Sequence, residues 1–100
     1  MGDIDGRVVV TEAALKRQIK AALEKAGCVV YPQPASPLGI TGRPDLIICA
    51  PGGRYLGLEV KTESGRLSPA QAHQLERINA AGGIGRVVRS VKDALEAIDK

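Results

Sequence analysis

Pro44-Asp45-Leu46-Ile47-Ile48-Cys49-Ala50-Pro51-Gly52-Gly53-Arg54-Tyr55-Leu56-Gly57-Leu58-Glu59-Val60-Lys61 is the stretch on which the fold turns. Two apolar runs, 46–50 and 54–61, flank a Pro-Gly-Gly turn, which is a β-hairpin signal. If the turn is symmetric about Gly52, residues equidistant from it face each other, and Asp45 lies opposite Glu59. Side chains alternate faces along a strand. One face then carries Leu46, Ile48, Ala50, Leu56, Leu58 and Val60 and is the core face. The other carries Asp45, Ile47, Cys49, Tyr55, Gly57, Glu59 and Lys61, with its charges gathered at the end away from the turn.

Outward from the hairpin the pattern is helical on both sides. Leu15, Ile19, Ala22, Leu23 and Ala26 recur at helix spacing after Thr11, and Gly27 is a natural stop. Lys16, Arg17, Lys20, Glu24 and Lys25 form the opposite face of that helix, which reads as solvated. Cys28–Tyr31 reads as a short strand. Pro32, Pro34, Pro37, Gly39, Gly42 and Pro44 keep the segment before the hairpin irregular, and its length marks it as a candidate binding loop. After the hairpin, Ser68-Pro69-Ala70-Gln71 combines an N-cap, a proline at the first helical position and a capping-box glutamine. That helix runs to Gly82-Gly83; a Val-Val strand follows within Arg86–Arg89, and a last helix runs from Ser90 through Ile98. The expected order is α-β-β-β-α-β-α, an α/β fold, in a single domain over 1–100 with 1–7 a flexible end.

Two carboxylates opposite one another on a sheet face repel, unless a cation lies between them. Asp45 and Glu59 are therefore candidate ligands of a divalent ion, and oxygen donors suit Mg²⁺ or Mn²⁺. Lys61 projects to the same side, where its ammonium can orient an attacking water or stabilise charge on a phosphate. Val60 points into the core, but its backbone carbonyl is free to face the ion. A bland surface Glu–Lys pair is the alternative, and a register slip of one residue would restore it.

Composition narrows the partners. The 100 residues carry a formal charge of +3 and include no Trp or Phe, so aromatic stacking is a poor route to nucleic acid while phosphate contacts remain open. Cys28 and Cys49 lack metal-ligand spacing, and with His73 alone beside them no zinc set assembles. No signal peptide or bilayer-spanning run is visible, so a cytoplasmic protein is expected.

Gly42-Arg43-Pro44-Asp45 followed by Glu59-Val60-Lys61 resembles the PD-(D/E)XK nuclease signature. The wider string, with Arg66-Leu67-Ser68-Pro69-Ala70-Gln71 and Val87-Val88-Arg89-Ser90 after a glycine pair, is similar to the VRR-NUC family, over roughly Thr11 to Ile98. The resemblance implies a restriction-endonuclease-like mixed central sheet flanked by helices. It implies phosphodiester cleavage in DNA with Mg²⁺ or Mn²⁺, Asp45 and Glu59 as ligands and Lys61 as the catalytic lysine. An early helical acid, here Glu12, and a glutamine after Ser-Pro, here Gln71, belong to the same pattern. Small stand-alone members, common in bacteriophages and bacteria, imply a symmetric homodimer acting on branched DNA such as four-way (Holliday) junctions, with DNA repair as the setting.

Read without the family, Glu12 either lies on the buried stripe of its helix or complements the helix dipole. Gln71 either serves the site or caps its helix. Arg43, Arg54 and Arg66 are candidates for phosphate contact, Arg43 foremost. His73 reads as an exposed helical residue. Two other functions fit the same fold: a non-catalytic module that docks on DNA or protein, and a restriction-like nuclease that reads base sequence. Metal-dependent cleavage separates the first, and cutting of unrelated junctions the second.

Overall fold

A computed structural model describes residues 10–34 and 41–99. The amino-terminal stretch expected to be flexible lies outside these residues, as does the middle of the proline-rich segment. The elements are α1 (Glu12–Lys25), β1 (Val29–Pro32), β2 (Leu46–Ala50), β3 (Arg54–Val60), α2 (Pro69–Ala80), β4 (Ile84–Val88) and α3 (Val91–Ile98), in the expected order. One sheet has the spatial order β1-β2-β3-β4. The first two pairings are antiparallel and β3–β4 is parallel, so the sheet is mixed. A parallel pair needs a crossover, and α2 supplies it.

The hairpin has the symmetric register: Leu46 pairs with Leu58, Ile48 with Leu56 and Ala50 with Arg54. Gly52 and Gly53 both take positive φ in the turn, a backbone region that suits glycine. The face expected to be the core is the core. Ile48, Leu56, Leu58 and Val60 are wholly buried beneath Ile19 and Leu23 of α1, Val88 of β4 and Ala94 and Ala97 of α3. Each such aliphatic side chain contributes about 1.5–3 kcal/mol of burial. This layer is the source of the fold's stability.

α2 lies on the other sheet face, and its approach depends on two paired glycines. Gly57 of β3 and Gly85 of β4 are neighbours in the register. A Cβ on Gly57 would sit 2.5 Å from Ile78 Cδ1, and one on Gly85 would sit 2.5 Å from the Leu75 carbonyl oxygen. The helix rests on bare backbone. Asn79 fixes the contact from the edge, accepting from Gly85 N–H at 2.8 Å and donating to Gly85 C=O at 3.0 Å.

Two boundaries differ from the sequence reading. The first strand is Val29–Pro32 rather than Cys28–Tyr31, because Cys28 N–H closes the end of α1 on the Leu23 carbonyl at 3.0 Å. The fourth strand begins at Ile84, since the α2 turn is complete at Gly83, whose N–H bonds to Ile78 C=O at 3.0 Å.

Candidate active site

Asp45 immediately precedes β2, and its carbonyl accepts from Gln33 N–H at 2.8 Å, tying it to the segment leaving β1. Its Oδ2 accepts from the Val60 N–H at 2.8 Å. Proline at position 44 has no N–H with which to continue the ladder opposite Val60, so the aspartate side chain takes over the pairing. Lys61 N–H bonds instead to Val88 C=O of β4 at 3.1 Å. Backbone groups alternate sides along a strand, so the Val60 carbonyl faces the Asp45 side together with its N–H.

Glu59 points from β3 to the same face and is 2 % exposed. Its Oε2 accepts from Gln71 Nε2 at 2.8 Å and lies 3.7 Å from Lys61 Nζ. Its Oε1 is buried and, among the described residues, has no hydrogen-bond partner. Burial raises the Glu59 carboxyl to about 7, helped by the negative charge of Asp45 and by the hydrogen bond a protonated Glu59 makes to it; Lys61 opposes the rise, and Glu12 adds to it. A buried carboxylate with an empty acceptor next to a second carboxylate is costly in water alone. The donor set of two carboxylates and the Val60 carbonyl fits a small hard cation such as Mg²⁺ or Mn²⁺. Among the described residues no group of three or more His, Cys, Asp or Glu side chains converges to hold an ion. The remaining coordination would fall to water and phosphate, which is the habit of Mg²⁺.

The sequence-expected residues divide as follows. Asp45, Glu59, Lys61 and Gln71 are joined in one cluster, and Glu12, half-buried in the first turn of α1, acts on Glu59 through its charge. Gln71 caps its helix and bonds to Glu59 at once. Its Oε1 accepts from Ser68 N–H at 2.9 Å, Ser68 Oγ accepts from Gln71 N–H at 3.1 Å, and Nε2 is left for Glu59. Arg43 is exposed and donates to Gln33 Oε1 at 3.1 Å; Arg54 lies at the start of β3, and Arg66 is exposed on the link between β3 and α2. His73 is exposed on α2, away from the cluster's bonds.

Two residues that touch the cluster or the loop beside it carried no site role in the sequence reading. Lys16, placed there on a solvated face, brings its Nζ to 3.7 Å from Asp45 Oδ1. Its place four residues after Glu12 put both on one side of α1, and that was the available signal. Arg89 follows β4, and its Nη1 donates to the carbonyls of Thr62 at 2.7 Å, Gly65 at 2.8 Å and Glu63 at 3.4 Å. A Cβ on Gly65 would stand 3.2 Å from Lys61 Cδ, so the loop that Arg89 grips lies against the lysine stem. No sequence spacing announces that clasp.

A mixed sheet that brings an Asp, a Glu-x-Lys and a helix-borne Gln together has the layout of a PD-(D/E)XK-type nuclease domain. The VRR-NUC domain family model matches residues 8–92, and the chain belongs to that family of nuclease domains. A solved structure titled "VRR_NUC domain" is 29% identical, with a TM-score of 0.73 over 91% of this chain and 97% of that one. A second, "VRR_NUC domain protein", is 20% identical at a TM-score of 0.72 over 90% and 86%, which speaks to the fold alone. None of the curated proteins matches the chain. Among the described residues no helix is long and apolar enough to cross a membrane.

Proposed function

We propose that this chain is a Mg²⁺- or Mn²⁺-dependent endonuclease that hydrolyses phosphodiester bonds in branched DNA, four-way junctions included. The observation that carries the proposal is the buried, unpartnered Glu59 Oε1 beside Asp45. Asp45, Glu59 and the Val60 carbonyl would hold the ion, with Glu12 adding negative charge from α1. When bound, the ion supplies positive charge against the phosphoryl oxygens and makes water acidic enough to react at neutral pH.

The chain's own groups do the rest. Gln71 holds Glu59 in one rotamer, and Asp45 is fixed by Val60 N–H. Lys61, its side chain 13% exposed and steadied by Glu59, presents an ammonium to the phosphate and the incoming water. Water oxygen bonds to phosphorus as the bond to the leaving nucleotide oxygen breaks. Arg43, Arg54 and Arg66 contact phosphates on either side. A homodimer suits a two-fold substrate. The exposed cross-strand pair Val29–Cys49, with Tyr31 beside it on edge strand β1, supports such a contact.

Incubation with linear, flapped and four-way DNA, with and without Mn²⁺, tests the reading. Cutting is expected with the ion only, to favour the four-way substrate over unrelated duplexes, and to vanish in Asp45→Asn. Absence of cleavage on every substrate with either ion would leave a DNA- or protein-docking module. Light scattering across protein concentration tests the dimer, and a monomer active on junctions removes it.

A further inference from the structure

We infer that the cleft between α2 and the start of β3 is a second phosphate-binding subsite, which takes the DNA backbone a few nucleotides from the scissile bond. The inference rests on the nuclease reading above. The cleft has a volume of about 630 Å³, and Arg43, Arg54 and Arg77 line it together with Tyr55, Gln74 and Ile78. Arg43 and Arg77 come from two separate elements, the segment entering β2 and the last turn of α2, and Arg54 borders the cleft as the first residue of β3. Among the described residues no acidic side chain lines it. Arg77 donates to Gln74 Oε1 at 3.3 Å and Arg43 to Gln33 Oε1 at 3.1 Å, so neutral amides orient both cations without cancelling their charge.

The cleft lies on the same sheet face as the carboxylate pair, beyond Gly57, over which Ile78 and Pro44 pack. On β3, Glu59, Gly57 and Tyr55 share one face, and on α2, Gln71, Gln74 and Ile78 share the facing side. The first residue of each row forms the Gln71–Glu59 bond, and Tyr55, Gln74 and Ile78 border the cleft. Pro44, next to Asp45, forms part of the wall. Glu59 and Tyr55 are about 13 Å apart along the strand, at roughly 3.3 Å per residue. That separation spans about four nucleotides of a B-form strand, which advances about 3.4 Å each. Ile78 and the Tyr55 ring give the sugars an apolar floor, and the arginines meet the phosphates. Arg77 alone could be read as a cation complementing the α2 dipole. That role does not explain why Arg43, from the segment entering β2, lines the same cleft.

The test uses Arg77→Gln in the full chain, with Asp45→Asn as the uncleaving background for binding. Binding of a fluorescein-labelled four-way junction is followed by anisotropy over a salt series, and cleavage is followed with Mn²⁺. Removing one phosphate contact flattens the slope of log Kobs against log salt by about 0.7–0.9. It is also expected to raise KM about fivefold or more with kcat little changed. On substrates trimmed to two nucleotides on the side of the cut that the cleft serves, wild type should fall to the Arg77→Gln level. If wild type cleaves while Arg77→Gln keeps its slope and KM, the subsite is refuted and the nuclease reading stands. If wild type neither binds nor cleaves any DNA, both fall together. Melting curves of the two proteins exclude unfolding as the cause, since Arg77 is exposed.

Discussion

Gln71 donates from Nε2 to Glu59 Oε2 at 2.8 Å while its Oε1 accepts from the Ser68 N–H, so one carboxamide joins the start of α2 to the buried carboxylate. The two ends of the amide separate a folding role from a site role, and substitutions can follow the division. Ser68→Ala removes the reciprocal hydroxyl and is expected to cost about 1 kcal/mol of stability, with cleavage near wild type. Gln71→Ala should cost a similar amount and also free Glu59, lowering kcat by about tenfold or more, as expected for losing a hydrogen bond to a charged group. Thermal melts beside kcat measure both. Equal activity in the two variants would show that the bond to Glu59 has no part in the reaction.

Glu59 makes the metal-free protein sensitive to pH. Its carboxyl titrates at about 7 in the fold, against 4.5 as its ordinary value, because burial and Asp45 disfavour the anion. The fold therefore binds this proton more tightly than the unfolded chain does. The stabilising contribution is fully present below the ordinary value and is lost as pH rises through about 7. At about 1.4 kcal/mol per pKa unit the loss is roughly 3 kcal/mol at most. In EDTA, Tm of wild type should drop over this window relative to Glu59→Gln, which cannot titrate there. Mn²⁺ should restore wild type above neutrality and release protons on binding. A wild-type curve parallel to that of Glu59→Gln contradicts this account.

Lys61 is expected to act on the chemical step. Lys61→Ala should retain DNA affinity and lose on the order of 100-fold in kcat, the scale of removing one donor aimed at developing charge. Cleavage at the wild-type rate would withdraw the role assigned to it.

Arg89 supports that lysine from a distance. Its three carbonyl contacts hold the 62–65 loop, and Gly65 of that loop packs on the Lys61 stem. Arg89→Ala should lower kcat several-fold with KM unchanged, and Arg89→Lys should recover little, because an ammonium lacks the planar fork. The discriminating measurement is a double-mutant cycle with Lys61→Ala. A positioning residue loses its effect on kcat once the lysine is gone, whereas a purely structural one keeps it.

The hairpin was legible because a short glycine turn and strict alternation leave one register that buries Leu46, Ile48, Leu56, Leu58 and Val60 together. Asp45, Glu59 and Lys61 followed from that register; spacing after Ser68 gave Gln71 as a helix cap, and only the family resemblance implied its place in the site. Lys16 had one signal, its place four residues after Glu12. Arg89 was not legible, since its contacts exist only once β4 settles beside β3, and periodicity carries no record of such packing. The position of α2 was hidden for the same reason, since Gly57 and Gly85 become neighbours only through the parallel pairing.

That glycine pair offers a test of how packing governs the site. A Cβ at position 85 would meet the Leu75 backbone carbonyl at 2.5 Å, and backbone cannot swing aside as a long side chain can. Gly57→Ala faces instead the Ile78 Cδ1 atom at 2.5 Å and Pro44 Cγ at 3.1 Å, of which the first can move by changing rotamer. Gly85→Ala is therefore expected to lose about 3 kcal/mol or more, at the upper end of the overpacking range, and Gly57→Ala about 1–2 kcal/mol. Both should also lift α2 from the sheet and stretch the Gln71–Glu59 bond. Cleavage should then fall further than in Ser68→Ala, which leaves that packing intact. In Gly57→Ala,Ile78→Val the clash is relieved, and recovery of both Tm and kcat is the expected result. Recovery of Tm without kcat would mean that the height of the helix over the strands does not set the geometry of the carboxylates.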